Sequence, residues 1–279
     1  MADGPADGPA DGPAHSVHTP SGRRYAARTA VLWDSLLAAI DSLLAQRGGE
    51  VCHVVDVGGG TGRLAVQLAE LGHRITVVDP SPDALAALGR RARESDVAER
   101  VVGLQGDLVE VPDLVAAGDA GPADVVLCHG VLEIVRDPAA ALDTLHATLG
   151  AGSRGGQGGL LSLLVAQRHA AVLARAMAGH LQQARVLLDE VEPVRDLAEG
   201  GRTPQRRFTA EEIATLLDDH GFDVGEVHGV RVFADLVPGA LLDAESGATE
   251  SLLALERAVA RRPEFHAVAT QLHLLARPV

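Results

Sequence analysis

The segment Val54-Val55-Asp56-Val57-Gly58-Gly59-Gly60-Thr61-Gly62-Arg63 constrains this chain more than any other. An apolar run ends on an acid, a turn dense in glycine follows, and helix-forming residues come next. A second apolar run, Arg74 to Val78, closes on Asp79, 23 residues after Asp56. Strand, glycine loop, helix, strand and acid in this order predict the front half of a nucleoside-binding α/β sheet. A plain turn does not call for three adjacent glycines, because each loses backbone entropy when it is ordered. The spacing also separates cofactors. A dinucleotide loop of the form G-x-G-x-x-G, started at Gly58, needs glycine where Arg63 stands. The predicted ligand is therefore a nucleoside without a pyrophosphate to seat on the helix N-terminus.

Composition narrows the rest. The chain has 279 residues, enough for one large α/β core, and only 2% are aromatic, so that core is built from Ala, Val and Leu. The formal net charge is -14, and all 24 basic residues are arginine. Such acidity argues against general nucleic-acid binding, which depends on neutralising phosphates, but leaves room for a local basic face. Cys52 and Cys128 lie in apolar runs without metal or disulfide spacing. The histidines, His169 and His180 among them, show no paired spacing, so no metal site is expected. No apolar stretch suits a membrane span and no signal peptide is legible, which predicts a cytoplasmic protein.

Residues 1–20, an Ala-Asp-Gly-Pro repeat and its flank, read as a disordered low-complexity tail. The methyl-rich remainder, residues 21–279, reads as one domain. Helical periodicity runs from Arg24 to Gln46. Strands are expected over Val51 to Val57, Arg74 to Asp79, Arg100 to Gln105, Ala123 to Cys128, Leu160 to Val165, Phe222 to Phe233 and Ala267 to Arg277. Helices are expected from Gly62 to Leu71, from Pro82, from Pro138 to Leu149, over Ala170 to Leu188, from Thr209 to Gly221 and over Glu245 to Arg261. Gly150 to Gly159 reads as a loop, and the charged stretch from Asp189 to Arg207 breaks the rhythm. Within residues 166–208 a small helical or loop cap over the site is expected.

The pattern Asp56-x-Gly58-x-Gly60-x-Gly62 resembles the first motif of class I methyltransferases, which bind S-adenosylmethionine on a Rossmann-like, seven-stranded, doubly wound sheet. Asp79 stands at the distance expected of the acid that binds ribose hydroxyls. Asp107, just after the third strand, is either an acceptor for the adenine amino group or a turn acid. Asp56 is expected to order the glycine loop. His129 follows the fourth strand and is either a general base or a structural, cofactor-lining histidine. Glu133 reads as a cap on the following turn.

Further segments carry a closer resemblance. Ala27-Arg28-Thr29-Ala30-Val31-Leu32-Trp33, His129-Gly130-Val131-Leu132-Glu133 with Arg136-Asp137-Pro138, Gly229-Val230-Arg231-Val232-Phe233 with Asp235, and Leu255-Glu256 ahead of Arg262-Pro263 occur in order. Together they are similar to the bacterial tRNA wobble-uridine carboxyl methyltransferases, which esterify 5-carboxymethoxyuridine. That resemblance implies Arg28 on the cofactor carboxylate, Gly58 in the cofactor loop, Asp79 on the ribose, Asp107 and Leu108 along the adenine, and His129 beside the cofactor. Arg231 becomes the candidate contact for the acceptor carboxylate, with His129 the other candidate at the reacting centre. The chain departs from the family at Ile134, where Trp is expected, at Ala166-Gln167, where Tyr-Asn is expected, and in the acidic Asp189 to Arg207 stretch, where a lysine-rich run is expected. Three functions stay open: methylation of a tRNA carboxylate, O- or N-methylation of a small-molecule acceptor, and cofactor binding without catalysis.

Overall fold

The computed structural model describes residues 20–150, 158–188, 205–244 and 247–279. Most of the expected tail, the loop over 151–157 and the stretch 189–204 of the expected cap lie outside them. A long helix, α1 (Pro20–Arg47), leads into β1 (His53–Val57), α2 (Arg63–Glu70), β2 (Arg74–Asp79), α3 (Pro82–Glu94) and β3 (Val101–Gln105). Next come α4 (Val111–Ala117), β4 (Val125–His129), α5 (Pro138–Gly150), β5 (Leu160–Ala166), α6 (Arg168–Met177) and α7 (Leu181–Leu188). The chain continues through α8 (Ala210–Asp219), β6 (Phe222–Val230), α9 (Gly239–Ala244), α10 (Ala248–Val259), α11 (Pro263–His266) and β7 (Gln271–Pro278).

The seven strands form one sheet in the order β3-β2-β1-β4-β5-β7-β6. The first five are parallel, while β7 runs antiparallel between β5 and β6. Alternation along each strand divides the apolar side chains between two layers. Val55 and Val57 face α5 and α8, where Leu142, Leu145 and Leu217 are fully buried. Val54, Val125 and Leu127 face α1 to α3, where Leu36, Ile40 and Leu43 of α1 bury completely. Each such side chain contributes roughly 1.5–3 kcal/mol of transfer free energy, which is how an aliphatic core holds with four phenylalanines and one tryptophan in the whole chain.

Several elements differ from expectation, helix α9 and the start of β1 at His53 among them, and four have a local cause. The predicted helix over 170–188 is two helices, because Gly179 takes φ 81 and turns the chain between them. A helix over Val111–Ala117 was not anticipated, although Pro112 in its first turn is a start signal. The sixth strand stops at Val230, because Arg231 takes φ 60. The seventh begins at Gln271, since Pro263–His266 forms a short helix and Ala269 N–H still bonds back to Phe265.

Candidate functional site

At the carboxyl ends of β1 and β2 the glycine loop wraps over two acids. Gly58 N–H donates to the Val78 carbonyl at 2.8 Å, Gly60 N–H to Asp79 Oδ2 at 2.9 Å and Ser81 N–H to Asp79 Oδ1 at 2.9 Å. Asp79 therefore clamps the loop to the second strand, and each carboxylate oxygen keeps a lone pair for a further donor. Asp56 lies beneath the loop: a Cβ on Gly59 would collide with its carboxylate and stand 2.9 Å from Val77 Cγ1. Gly62, at φ 71, begins α2, and a Cβ there would collide with Leu88 Cδ1. The loop thus admits only glycine at three points: Gly58, at φ 69 and against Val131, Gly59 for backbone approach to an acid, and Gly62 for helix packing. Burial, reinforced by the neighbouring Asp79 charge, pushes the Asp56 carboxyl up to about 7.

Beyond β3, Asp107 is exposed and starts a single helical turn. Its N–H donates to Glu110 Oε2 at 2.8 Å in a capping box, with Leu108 packed against the core. This local role does not engage all of the carboxylate's acceptor capacity.

A cavity of about 580 Å³ opens in front of the glycine loop. Asp56, Gly58 and Gly59 border it on the sheet side, Arg63 and Gln67 of α2 on the second, and Thr29 and Trp33 of α1 on the third. His129 closes the floor at the end of β4. Sequence reasoning missed Asp34 and Arg257 at this cavity; they pair at 2.7 Å although 223 residues apart, and no local pattern announces such a pair. Of the candidate site residues, Asp56, Gly58 and His129 line it; Gly60, Gly62, Asp79, Asp107, Leu108, Arg28 and Arg231 do not. Arg28 and Arg231 both bind Asp235, at 2.9 and 2.6 Å. Arg231 also donates to Gln271 Oε1 at 3.3 Å and borders a second cavity of about 440 Å³, at the ends of β5 and β7, together with Arg175, Arg207 and Gln167. Glu133 does not act as the turn cap expected of it: its Oε1 accepts from Ala166 N–H at 2.8 Å and so ties the β4 turn to the end of β5.

His129 is half-buried, and its Nε2 lies 2.9 Å from Ser162 Oγ. Ser162 Oγ is in turn 2.8 Å from His273 Nε2, and His273 Nδ1 is 2.9 Å from Ser35 Oγ on α1. Desolvation drives the His129 imidazole down to about 4 and that of His273 far below its ordinary value, so both are neutral at physiological pH. Among the described residues no group of three or more His, Cys, Asp or Glu side chains is placed to hold a metal ion, and no helix is long and apolar enough to cross a membrane.

The cavity fits S-adenosylmethionine. Its volume lies in the range of small-molecule sites. Backbone of Gly58 and Gly59 lies along its wall, and one acid, Asp56, rather than a pyrophosphate cradle stands on its sheet side. Comparison with known proteins agrees. A methyltransferase-domain family profile matches residues 55–154. The tRNA 5-carboxymethoxyuridine methyltransferase of Escherichia coli (strain K12) is 27% identical over 250 residues, covering 90% of this chain and 87% of that protein. A ubiquinone biosynthesis O-methyltransferase of Xanthomonas axonopodis pv. citri (strain 306) is 30% identical over 63% of this chain and 65% of its own length. Among solved structures, magnesium protoporphyrin IX methyltransferase from Synechocystis PCC 6803, with bound SAH, shares the fold at TM-score 0.53 and 18% identity, covering 97% of this chain and 90% of that one. By its sheet order, its glycine loop and these relatives, the chain is a class I, S-adenosylmethionine-dependent methyltransferase.

Proposed function

We propose that this methyltransferase esterifies a carboxylate on a modified wobble uridine of tRNA. The observation that carries the reading is the state of His129. Its Nε2 is committed to Ser162, and burial leaves the imidazole a weak base at about 4. A site so equipped suits an acceptor that needs no deprotonation, and a carboxylate is ionised at neutral pH without help. The second cavity supplies the complementary feature: Arg231 on its border and Arg28 beside it converge on the single carboxylate of Asp235, and guanidinium groups of this kind suit an anionic acceptor. The likeness to the Escherichia coli tRNA enzyme, which extends over 90% of the chain, supports the same acceptor.

When bound, the cofactor supplies a methyl group on a sulfonium, already electrophilic. The chain's own residues then have to bind and orient. Asp79 holds the ribose hydroxyls, Asp107 and Leu108 border the adenine, and the loop from Gly58 to Gly62 lies along the nucleoside. Asp56, in its ionised form, balances the cofactor's positive charge. Arg231 steers the acceptor carboxylate into line, which lowers the barrier through orientation rather than proton transfer. In this reading residues 21–279 form one domain, residues 166–208 cap the acceptor side, and the protein works in the cytoplasm, where tRNA is found.

Mass spectrometry of tRNA nucleosides from cells with and without the gene tests the proposal. Loss of a methyl ester at the wobble uridine is the expected result; an unchanged nucleoside profile overturns it. The second reading, a small-molecule O-methyltransferase, draws on the net charge of -14 and on the ubiquinone-pathway relatives. Turnover on a phenolic acceptor with an intact tRNA profile would favour it.

A further inference from the structure

On the sheet face beneath α1, a polar row crosses four adjacent strands: His129 on β4, Ser162 on β5, His273 on β7 and His228 on β6. Ser162, His228 and His273 are almost wholly buried. The hydrogen-bond directions in this row can be deduced from its end. Ser35 Oγ lies 2.7 Å from the Val31 carbonyl and 3.1 Å from that of Leu32. Carbonyls only accept, so the single hydroxyl proton of Ser35 is used there. His273 Nδ1, 2.9 Å from the same hydroxyl oxygen, must then be the donor. A neutral imidazole carries one N–H, so His273 Nε2 accepts, and it accepts from Ser162. With its proton given to His273, Ser162 Oγ accepts from His129 Nε2. His129 is left with its lone pair at Nδ1. No protein group bonds to that atom among the described residues, and the imidazole borders the cofactor cavity.

We propose that Ser35, Ser162 and His273 are positioning residues that fix His129 as the Nε2–H tautomer, so that the cofactor meets a lone pair at Nδ1 and neither an N–H nor a positive charge. S-adenosylmethionine carries a sulfonium and an ammonium. An imidazolium, or a neutral ring turned to present N–H, would oppose both; an acceptor draws the ammonium in. The chain is not a proton relay. It ends on backbone carbonyls of α1, which cannot pass a proton on, and no hydrogen bond joins it to His228, which only stacks on His273 at 5.9 Å. Because Ser35 belongs to the helix that also walls the cavity, the seating of α1 and the tautomer of His129 are one event. The inference is independent of which acceptor is methylated.

Long-range proton–nitrogen correlation spectra of the histidine side chains in the full protein test this directly. The expected pattern in wild type is Nε2–H for His129 and Nδ1–H for His273, with or without S-adenosylmethionine. Ser35→Ala removes the oxygen that compels His273 Nδ1 to donate, so His273 turns to Nε2–H and His129 to Nδ1–H. Calorimetry should then find S-adenosylmethionine bound about tenfold more weakly, equivalent to about 1.4 kcal/mol, the scale of one hydrogen bond to a cationic group. Ser35→Thr keeps a hydroxyl that bonds to the preceding turn and restores both tautomers and affinity. Nδ1–H or doubly protonated His129 in wild type overturns the proposal. So does a Ser35→Ala variant that loses affinity without changing tautomer, or changes tautomer without losing affinity.

Discussion

Glu256 is fully buried on α10, and its carboxylate accepts from three consecutive backbone N–H groups beyond the sixth strand. Oε2 takes Val232 N–H at 3.0 Å, and Oε1 takes Phe233 and Ala234 N–H at 2.8 and 2.7 Å. These bonds begin at the residue after Arg231, whose positive φ costs a side-chain-bearing residue roughly 1–2 kcal/mol. Glu256→Gln keeps an oxygen for Phe233 and Ala234 but turns an NH₂ toward Val232 N–H. Losing one charge-assisted bond and burying an unpaired donor should cost about 1.5–3 kcal/mol. Glu256→Ala orphans all three donors, at about 1–3 kcal/mol for each one left unsatisfied, so a larger loss than in the Gln variant is expected. At roughly 2–4 °C per kcal/mol, thermal unfolding should separate wild type, Gln and Ala in that order, the first step being several degrees. A Gln variant that melts with wild type would refute the claim that charge-assisted bonding holds this turn. Arg231→Lys serves as the control, since it leaves the three bonds untouched.

Three other outcomes follow from the loop. Gly59→Ala places a methyl group against the Asp56 carboxylate and should abolish measurable cofactor binding by calorimetry while the sheet still folds. Asp79→Ala removes the acceptor for Gly60 and Ser81 N–H and should weaken cofactor binding by about 1.5–3 kcal/mol; unchanged affinity would remove Asp79 from the site. The raised Asp56 carboxyl holds its proton in the native state and loses it when unfolded, so stability contributed by that group declines as pH rises from about 4 to about 7. Ionisation in turn favours a cationic ligand, so S-adenosylmethionine affinity should increase across the upper part of that window. Asp56→Asn should flatten both trends.

The strand, glycine loop and helix that frame the candidate site were legible because their signals are local. Asp56, the glycines and Asp79 lie within 24 residues of one another, and the strand–loop–helix pattern orders them without reference to the rest of the chain. What escaped was long-range. Ser35 and His273 are 238 residues apart, and meet only because an antiparallel strand enters the sheet beside β5. The end of the sixth strand was misjudged for a related reason: Val230-Arg231-Val232-Phe233 reads as strand throughout, and the turn inside it is imposed by Glu256 from another helix. Helix α4 is a different case, since Pro112 and the Asp107–Glu110 box announce it, and the short apolar spacing concealed it.

The insertion of β7 between β5 and β6 has a consequence for biosynthesis. During vectorial synthesis β1 to β5 can assemble as each emerges, but β6 has no neighbour to pair with until β7 is made. Throughout that interval β5 presents a free apolar edge of the kind that recruits stray strands. The same late strand carries His273, so a nascent chain lacks the link from α1 to His129 while its glycine loop is already complete. Cofactor encountered by the ribosome-bound chain would meet a half-built cavity floor, and full binding competence would arrive in one step with the docking of a single strand.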